Sequence, residues 1–427
     1  MSSERPMKGA LIERLRSRSA VVCVVGMGYV GLPLAIEFAR RGFRVVGKDS
    51  DEAKLRAIAA GDSGQRHILH EDYKELVSSD KLVFAGPGDA VPADAYIVCV
   101  PTPLTADRNP DLTCVREAMQ WVARVAPPGC LVALESTTYP GTTREVIAPM
   151  VNGSKQRFVA YSPERQDPGN EKWKVGNTPK VVGAVDSDAL DVAVALYSEL
   201  LGRDNVVAVG SADAAEMVKI FENVFRLVNI ALVNELKMLC RELEIDVWEV
   251  VRAAASKPFG FQSFAPGPGV AGHCIPIDPF YLTWKARQVG MPTRFIELAG
   301  EINRAMPAYV VDRVREALNE RKRAVNGSTV LVLGLAYKRN VSDTRESCTY
   351  EIVDRLQGDG ATVLLHDPHV PGMGEADLAG LVAAANCAVI VTDHDEYKDR
   401  RTMNLLRALP VVDTRGIMAD GPEVYRG

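Results

Sequence analysis

A glycine motif near the start of the chain constrains the fold more than any other feature. Gly26, Gly28 and Gly31 follow an uninterrupted apolar run, Val21–Val25, and precede a segment with helical character that includes Pro33. Such an apolar run is typical of a buried parallel strand, and proline is tolerated in the first turn of a helix. In this spacing the first glycine permits a tight turn, the second lets a diphosphate approach the backbone, and the third lets helix and strand pack closely. The motif therefore predicts a strand–turn–helix unit that binds a dinucleotide.

An acidic residue further along indicates which dinucleotide is bound. Asp49 comes 23 residues after Gly26, just beyond the predicted strand Phe43–Gly47. A carboxylate at this place accepts hydrogen bonds from the adenosine ribose hydroxyls and repels a 2′-phosphate. Although Lys48 adds a positive charge beside Asp49, we expect NAD rather than NADP as the cofactor.

Strand-like and helical segments alternate at both ends of the chain, which is typical of doubly wound parallel sheets. A helix is predicted at Leu34–Arg41. The other predicted strands of the N-terminal part are Tyr96–Val100, Leu131–Leu134, Phe158–Tyr161 and Lys180–Val182. In the C-terminal part, a strand beginning at Thr329 and a helix at Thr349–Leu356 precede the predicted strands Ala361–Leu365, Ala388–Val391 and Pro410–Val412.

The middle of the chain has a different character. From Ser211 to Lys257 there is neither glycine nor proline, so one long helix or two in series are predicted. A structured loop is expected at Pro258–Pro279, followed by helix to about Ala324. The predicted fold class is therefore α/β, with two Rossmann-like doubly wound domains, 1–210 and 325–427, joined by a helical, dimer-forming domain at 211–324.

Composition excludes several classes of protein. With 47% hydrophobic and 25% charged residues and a net charge of −5, the 427-residue chain has the values of a multidomain globular protein, and neither nucleic acid nor a membrane is an expected partner. The first 18 residues lack the apolar stretch of a signal peptide. Eight cysteines without a Cys-x-x-Cys pair argue against a zinc site or disulfide framework, so no metal and a reducing, cytoplasmic location are expected.

Seven of the eight cysteines are expected to be buried and inert, but Cys274 differs. It lies outside any periodic apolar run, beside Gly272 and His273 and four residues before Asp278. Glycine allows close approach of a substrate, and a neighbouring histidine is able to hold a thiolate, although a solvated loop histidine explains His273 equally well. A two-electron 2-hydroxyacid dehydrogenase would not need this thiol, and a non-catalytic NAD-binding regulator would not retain it.

Six motifs in order resemble the UDP-glucose/UDP-N-acetylmannosamine dehydrogenase family of nucleotide-sugar 6-dehydrogenases over about residues 18 to 425. These motifs are Gly26-x-Gly-Tyr29-Val30-Gly31, Val100-Pro-Thr102-Pro, Ser162-Pro-Glu164-Arg165, Lys219-x-x-x-Asn223, Gly272-His-Cys274-Ile-Pro-Ile-Asp278 and Gly334-Leu-Ala-Tyr337-Lys338 with Ser342-Asp-Thr-Arg345. The resemblance implies a four-electron oxidation of a sugar C6 alcohol to a uronic acid, with two NAD reduced. It also implies a homodimer and a nucleotide-sugar substrate linked to UDP or dTDP.

The resemblance also implies roles for individual residues. Cys274 would form a thiohemiacetal and then a thioester, Lys219 and Asn223 would stabilise oxyanions, Asp278 would act on water, and Glu164 with Thr137 would be the other acid–base candidate. The remaining implied cofactor-binding residues are Gly26, Gly28, Tyr29, Val30, Gly31, Asp49, Thr102, Ser136, Thr137 and Arg345. The implied substrate-binding residues are Glu164, Arg165, Lys219, Asn223, Phe264, Gly272, Tyr337, Lys338 and Arg415.

Two departures from the UDP-glucose branch bear on the substrate. After Ser-Pro-Glu, the UDP-glucose branch usually has a phenylalanine-leucine stretch and an acidic residue, whereas this chain has Arg165-Gln-Asp-Pro168-Gly, with proline in place of that acid. The thiol loop reads Gly-His-Cys rather than Gly-Ser-Cys. Both features resemble the branch that acts on UDP-N-acetylglucosamine, which is the expected substrate; UDP-glucose, dTDP-glucose and UDP-N-acetylmannosamine remain alternatives. Pro258 lies near the place where some relatives carry an arginine that reaches the neighbouring subunit's substrate, so no such shared residue is predicted.

Overall fold

The chain forms two compact units in this computed structural model, Met1–Phe221 and Glu222–Gly427. The structure describes residues 4–62, 71–105, 107, 109–153, 156–166, 170, 172–272, 274–374, 377–419 and 421–427. Within these ranges, no helix combines the length and the apolar character needed to cross a membrane.

The first unit is built on an eight-stranded sheet in the order β3-β2-β1-β4-β5-β6-β7-β8. Neighbouring strands are parallel except β6 and β7, which are antiparallel. The central strands are buried on both faces, as the continuous apolar runs predict. The strands are β1 (Val21–Val25), β2 (Arg44–Lys48), β3 (Leu82–Ala85), β4 (Ala95–Val98), β5 (Leu131–Leu134), β6 (Phe158–Tyr161), β7 (Lys180–Ala184) and β8 (Val206–Ala208).

Among the described residues of this unit, seven α-helices cover the sheet. They are α1 (Glu4–Arg16), α2 (Gly31–Arg40), α3 (Glu52–Ala59), α4 (Glu71–Ser78), α5 (Thr113–Val125), α6 (Ala148–Asn152) and α7 (Ser187–Leu201), with a π-helical turn at Thr143–Ile147 and a 3-10 turn at Arg203–Asn205. Helix α1, which was not predicted, buries Leu11 and Leu15 in the core of this unit. Its Lys8 donates to Asp188 and Asp191 of α7 at 2.6 and 2.5 Å.

The second unit contains a five-stranded, fully parallel sheet in the order β10-β9-β11-β12-β13. Its strands are β9 (Thr329–Leu333), β10 (Thr362–His366), β11 (Cys387–Ile390), β12 (Val411–Asp413) and β13 (Val424–Arg426). Apolar side chains on both faces of the sheet form two clusters, one of which includes Val310, Val314 and Leu318.

The helices that precede and surround this sheet begin with α8 (Ala212–Glu242), which runs from the end of the first unit into the second. The others are α9 (Val247–Ala254), α10 (Asp278–Gln288), α11 (Arg294–Asn319), α12 (Cys348–Gly358), α13 (Leu378–Ala384) and α14 (Arg400–Leu406), with a 3-10 turn at Asp395–Lys398. Of the two alternatives predicted between residues 211 and 257, one long helix or two helices in series, the structure has two in series. Glu244, with φ of +56°, lies in the turn that separates α8 from α9.

The α/β fold class is confirmed, with two Rossmann-like sheets, one fully parallel and one parallel except for the β6–β7 pair. Strands β5 and β6 have the predicted limits, whereas β4 ends at Val98, two residues before the predicted end. The division into domains 1–210, 211–324 and 325–427 stays a prediction.

Candidate active site

The turn after β1 has the backbone geometry that its glycines predict. Gly26 has φ of +96°, and a Cβ there would lie 2.7 Å from the carbonyl oxygen of Cys99. A Cβ at Gly31 would lie 1.8 Å from the Gly26 carbonyl oxygen, so helix α2 and β1 approach as closely as glycine allows. At Gly28, by contrast, a Cβ would meet nothing within 4 Å, so the backbone is accessible there.

The first turn of α2 is suited to a diphosphate. It contains no acidic residue, and Val30, the residue before the helix, gives no side-chain hydrogen bond to its N–H groups. Free N–H groups and the helix dipole attract anions at such a terminus. Tyr29 and Val30, both partly buried, form the turn between Gly28 and the helix.

Asp49, which follows β2, is held beside this turn. Its Oδ2 accepts hydrogen bonds from the main-chain N–H of Met27 at 2.8 Å and from Lys54 Nζ at 3.0 Å, and its Oδ1 accepts from the N–H of Asp51. Burial alone would raise the pKa of Asp49, but these donors outweigh it and lower the pKa, so the carboxylate is ionised. The Lys48 ammonium, the cation noted in the sequence, instead donates to the Gly86 carbonyl oxygen.

The predicted residues after β4, β5 and β6 share one edge of the sheet, since these strands are neighbours and parallel. Thr102 follows β4, and Ser136 and Thr137 follow β5. The Ser136 hydroxyl donates to the Val100 carbonyl oxygen at 2.7 Å, which ties the two loops together. In open α/β sheets, ligands bind at this edge. The turn, the helix terminus and Asp49 thus fit the predicted NAD.

Glu164, three residues beyond β6, lies in a buried charged network. One carboxylate oxygen accepts from Lys180 Nζ at 3.2 Å, and the other accepts from the main-chain N–H groups of Arg165 and Gln166 at 2.8 and 2.7 Å. Burial alone would raise the pKa of Glu164, but Lys180 and these N–H donors outweigh it and lower the pKa. The motif continues through Asp167, Pro168 and Gly169, which lie outside the described residues.

The same lysine joins a second carboxylate. Lys180 Nζ donates to Glu135 at 2.9 Å, and the hydroxyl of Tyr197 donates to the other oxygen of Glu135 at 2.7 Å. All of these side chains are buried. The sequence analysis placed Lys180 at the start of a strand but gave neither Lys180 nor Glu135 a role. The sequence offered one indication that Lys180 is buried: it directly adjoins a short apolar run, Val181–Val182.

Two further predicted residues of the first unit adjoin Glu164. Lys219, on α8, donates to the Glu164 main-chain carbonyl oxygen at 2.7 Å. Arg165 donates to the carbonyl oxygen of Pro179 at 2.9 Å. The structure therefore brings Lys219 to the Ser-Pro-Glu loop, as expected if both act on one substrate.

The predicted thiol site lies in the second unit. Cys274 is partly buried, and its carbonyl oxygen accepts from the main-chain N–H of Asp278 at 2.8 Å, so one turn of chain connects the thiol residue to the start of α10. Asn223 Nδ2 donates to Asp278 Oδ2 at 2.6 Å, and both side chains are buried. His273 lies outside the described residues. The structure thus joins Cys274, Asp278 and Asn223, three of the predicted catalytic residues.

Glycine at 272 is required by a close contact. Gly272 has φ of +82°, and a Cβ there would lie 2.9 Å from the ring of Tyr337. The thiol loop therefore packs directly against a residue predicted to bind the nucleotide sugar. Lys338, the neighbour of Tyr337, is also partly buried.

The other predicted binding residues of this unit have defined partners. Phe264 makes an edge-to-face contact with Phe225, with ring centroids 5.7 Å apart. Arg415 donates to the Val391 carbonyl oxygen, and a Cβ at Gly267 would lie 2.8 Å from Arg415 Nη1. Arg345, predicted to reach the cofactor diphosphate, forms a bidentate ion pair with Asp343.

The C-terminal sheet repeats the turn geometry of the first. Gly334 directly follows β9 with φ of +95°, and Asp367, after β10, accepts from the N–H groups of Leu335 and Ala336 at 2.7 and 2.8 Å. Burial alone would raise the pKa of Asp367, but His394 and these donors outweigh it and lower the pKa to about 2. Asp367 thus fixes the turn that leads to Tyr337, a role the sequence analysis missed.

Within the described residues, one group of side chains has the composition of a metal site. Ligand atoms of His369, His394 and Glu396 lie within 4.8 Å of one another. Both ring nitrogens of His394 already have partners, however: Nδ1 accepts from the N–H of Asn340, and Nε2 lies 3.0 Å from Asp367. These hydrogen bonds would have to break to admit a metal ion, so the expectation that none takes part stays a prediction.

Comparisons with known proteins agree over most of the chain. Three models of the UDP-glucose/GDP-mannose dehydrogenase family match: the NAD binding domain at residues 20–201, the central domain at 213–305 and the UDP binding domain at 331–420. The UDP-N-acetyl-D-mannosamine dehydrogenase of Methanococcus maripaludis is 33% identical, with 93% of each chain covered. The UDP-N-acetyl-D-glucosamine 6-dehydrogenase of Pseudomonas aeruginosa is 33% identical over 90% of this chain and 93% of its own.

Solved structures show the same relationship. The UDP-D-ManNAc dehydrogenase from Pyrococcus horikoshii superposes with a TM-score of 0.86 at 34% identity, over 94% of this chain and 97% of its own. The NAD binding domain model covers the Gly26 turn and Asp49, which confirms NAD as the cofactor. The chain belongs to the UDP-glucose/GDP-mannose dehydrogenase family and is an NAD-dependent nucleotide-sugar dehydrogenase.

Proposed function

We propose that this enzyme oxidises C6 of a UDP-linked N-acetylhexosamine from alcohol to carboxylate in two successive two-electron steps, with Cys274 holding the substrate covalently between them. The observation that carries the proposal is the connection of Cys274 to Asp278 and Asn223 in a loop that packs on Tyr337. An alcohol-to-aldehyde dehydrogenase needs no thiol there.

In the proposed mechanism, the Cys274 thiol forms one covalent bond with the substrate and is regenerated at the end of the reaction. The Gly26 turn and Asp49 would hold NAD, and two NAD molecules in succession, one per oxidation, would supply the acceptors for the two hydrides lost from C6. After the first oxidation, the Cys274 sulfur adds to the aldehyde carbon, and the aldehyde oxygen takes a proton to give a thiohemiacetal. The second oxidation gives a thioester, and water then adds to its carbonyl carbon and expels the thiolate. A covalent intermediate of this kind divides a difficult oxidation into easier steps.

Lys219 and Asn223 are proposed to stabilise the negative charge that forms on the C6 oxygen. They stand four residues apart on α8, so their side chains leave the same side of the helix. An ammonium and an amide donor fixed before the reaction cost little reorganisation when charge develops. Lys219 already donates to the Glu164 carbonyl oxygen and Asn223 to Asp278, so both are held by their neighbours.

The proposed water-activating residue is Asp278. Asp278 lies one turn of chain after Cys274, and its side chain is buried. Asn223 donates a hydrogen bond to one of the Asp278 carboxylate oxygens and so orients it. The other acid–base candidate is Glu164 with Thr137. Since the Glu164 carboxylate accepts from Lys180, Arg165 and Gln166, it is better placed to orient its loop than to carry a proton.

Substrate binding is proposed to involve Arg165, Phe264, Gly272, Tyr337, Lys338 and Arg415, with Arg345 reaching the cofactor diphosphate. Arginine suits phosphate oxygens because its guanidinium donates two parallel hydrogen bonds. Arg345 now gives such a pair to Asp343, and would exchange or share that partner when a diphosphate binds.

The N-acetyl group of the proposed substrate is inferred from the Ser-Pro-Glu and Gly-His-Cys segments. Both segments resemble the branch that acts on UDP-N-acetylglucosamine, so this sugar is the first candidate. A second candidate is UDP-N-acetylmannosamine, the substrate named for the relatives from Methanococcus maripaludis and Pyrococcus horikoshii. A pocket that pairs with an acetamido group leaves polar groups unpaired when a plain hydroxyl replaces it, which costs about 1–3 kcal/mol per group.

The test is a comparison of kcat/KM for UDP-N-acetylglucosamine, UDP-N-acetylmannosamine, UDP-glucose and dTDP-glucose under identical conditions, with the product identified as acid or aldehyde. We expect an N-acetylhexosamine to exceed either glucose nucleotide by roughly tenfold or more. A tenfold preference for a glucose nucleotide would overturn the branch assignment and leave the oxidation chemistry intact.

We propose in addition that the enzyme is a homodimer through an apolar stripe on α8. The stripe consists of Phe221, Phe225, Leu232 and Leu239, each at least 41% exposed. At 3.6 residues per turn these four positions fall within about 40° around the helix. A contiguous exposed apolar stripe of this kind is typical of an interface.

Light scattering tests the dimer. Leu232→Glu is expected to give a monomer, while Met291→Glu, which places the same charge at a 63% exposed apolar position outside the α8 stripe, should leave the dimer intact. A monomeric wild-type enzyme would contradict the proposal.

A further inference from the structure

Glu216, on the second turn of α8, is a buried carboxylate that the proposed reaction does not use. Its side chain is fully enclosed. One of its oxygens accepts a hydrogen bond from the main-chain N–H of Gly141 at 2.6 Å. The other accepts from both the main-chain N–H and the hydroxyl of Thr143, each at 2.7 Å. Three buried hydrogen bonds from a single carboxylate therefore tie α8 to one short segment of chain.

The segment that Glu216 holds is the continuation of the loop after β5. Ser136 and Thr137 follow β5 directly, and the π-helical turn begins six residues later at Thr143. The first N–H groups of a helix have no partner within the helix. Thr142, the residue before the turn, gives them no side-chain hydrogen bond. Glu216 supplies the missing acceptor from another element, and so fixes where the loop ends.

The same turn of α8 presents a proposed catalytic residue. Lys219 lies three residues after Glu216, and residues three apart are neighbours on a helix surface. Lys219 donates to the main-chain carbonyl oxygen of Glu164, in the loop after β6, at 2.7 Å. Strands β5 and β6 are adjacent in the sheet. Two neighbouring side chains of α8 thus contact the loops that follow two neighbouring strands.

We propose that Glu216 is a positioning residue that holds the loop of Thr137 at its working distance from Lys219. This assignment rests on the proposed function, because it matters to turnover only if Thr137 and Lys219 act on the substrate. The helix is a stiff link between Glu216 and Lys219, so a shift of the loop against α8 changes the separation of the two catalytic groups directly. A misplacement of about 1 Å can cost roughly 100-fold in rate.

A second contact between the same segment and α8 provides a comparison. Arg144 pairs with Asp213, one turn before Glu216, at 2.9 Å. The arginine side chain is 58% exposed and the aspartate 32%. An ion pair in contact with water is screened and contributes little. The segment is therefore held by the buried bonds to Glu216 rather than by this exposed pair.

Glu216→Gln keeps the shape of the side chain and changes its hydrogen-bonding groups. Each oxygen of a carboxyl group has a lone pair that accepts a hydrogen bond, whereas the amide nitrogen of glutamine only donates. In one orientation that nitrogen would face the N–H of Gly141, and in the other it would face the N–H of Thr143. One main-chain N–H loses its acceptor in either case, so the segment must move.

Turnover and cofactor binding are measured on the full-length enzyme, with saturating NAD and the preferred sugar nucleotide of the panel above. Glu216→Gln should lower kcat by roughly tenfold or more. The Kd for NAD should stay within about threefold of wild type, because the Gly26 turn and Asp49 are untouched. The matched control is Asp213→Asn, which breaks the exposed contact of the same segment and should leave kcat unchanged.

A double-mutant cycle with Lys219→Ala separates positioning from general damage. Once the Lys219 side chain is gone, Glu216→Gln should lower kcat by less than about threefold, because the group it positions is absent. An equal loss in both backgrounds, or a wild-type kcat for Glu216→Gln alone, overturns the assignment. A wild-type kcat for Lys219→Ala alone would instead contradict the proposed function, and the assignment with it.

Thr143 supplies a second pair of variants if Glu216→Gln does not fold. Thr143→Val removes only the hydroxyl that donates to Glu216, whereas Thr143→Ser keeps it. We expect Thr143→Val to lower kcat by roughly threefold or more and Thr143→Ser to stay close to wild type. In that case, equal kcat values for the two variants overturn the assignment.

Discussion

The ammonium group of Lys180 lies 3.2 Å from a carboxylate oxygen of Glu164, and both side chains are buried. The same ammonium lies 2.9 Å from Glu135, so one cation serves two buried carboxylates. The Lys180–Glu164 pair connects the central sheet to the Ser-Pro-Glu loop. In the same loop, the main-chain carbonyl oxygen of Glu164 accepts a hydrogen bond from Lys219. The position of the proposed oxyanion-binding lysine thus depends on a charge network behind it.

Removal of Lys180 should therefore be severe. Lys180→Met leaves two buried carboxylates without their cation, and loss of one partner of a buried pair costs about 3–5 kcal/mol. We expect a loss of that size in the free energy of unfolding, measured by urea denaturation. Lys174→Met, an exposed lysine near Lys180 in sequence, is the control and should change stability little. A loss below about 1 kcal/mol for Lys180→Met would show that the network carries little stability.

Gly272→Ala should disturb the thiol loop. The new Cβ would meet the Tyr337 ring at 2.9 Å, in a backbone conformation that alanine disfavours. The control is Gly260→Ala in the same loop, which has φ of +65° but no atom within 4 Å of the added Cβ. We expect kcat to fall much further for Gly272→Ala, because only there must the loop move. Equal kcat values for the two variants would mean that the contact with Tyr337 is unimportant.

Glu216 should make stability depend on pH. It is fully buried on α8, accepts from the N–H groups of Gly141 and Thr143, and burial raises its pKa to about 7. Because the pKa of Glu216 is higher in the folded protein than its value of about 4.5 in the unfolded chain, protonation of this carboxyl stabilises the folded state. The stabilisation is fully present below pH 4.5 and is lost as the pH rises through 7.

The wild-type free energy of unfolding should therefore fall between pH 4.5 and 7 by up to roughly 3 kcal/mol from this group. Glu216→Gln should flatten that part of the profile, whereas Glu235→Gln, at an exposed position on α8, should not. Parallel profiles for wild type and Glu216→Gln, from denaturation at several pH values, would refute the assignment.

Asp49→Ala should weaken NAD binding and reduce discrimination against NADP. Loss of the carboxylate removes an acceptor for the ribose hydroxyls and frees Lys54, now 3.0 Å from Asp49, to pair with a 2′-phosphate. We expect kcat/KM for NAD to fall by roughly tenfold or more. The ratio of kcat/KM for the two cofactors measures the effect, and an unchanged ratio would mean that Asp49 does not read the ribose.

The parts of the fold that follow from local pattern were predictable. Strands such as Leu131–Leu134 are apolar on both faces and lie between turn residues, so their limits were predicted correctly. The missed strands β3, β8 and β13 are only three or four residues long and lie at the edges of their sheets, where no continuous apolar run is needed. Helix α1 was missed because only one side of it is buried, which leaves a polar and basic sequence.

The residues of the candidate site were predictable only where their function requires a fixed spacing along the chain. Gly26, Gly31 and Asp49 were identified because a turn and a ribose impose fixed intervals along the chain. The network of Lys180, Glu135 and Tyr197 joins strands and a helix that are far apart in sequence, and no spacing rule relates them.

The central claim is that Cys274 holds the substrate between two oxidations. The most direct measurement is the amount of NADH formed per nucleotide sugar consumed, for wild type and for Cys274→Ser. The wild-type enzyme should form two NADH and a uronic acid per sugar. Cys274→Ser should form no acid, although it should still bind NAD, whose turn and ribose-binding residues belong to the first unit. One NADH per sugar with release of an aldehyde from the wild-type enzyme, or normal acid formation by Cys274→Ser, would contradict the claim.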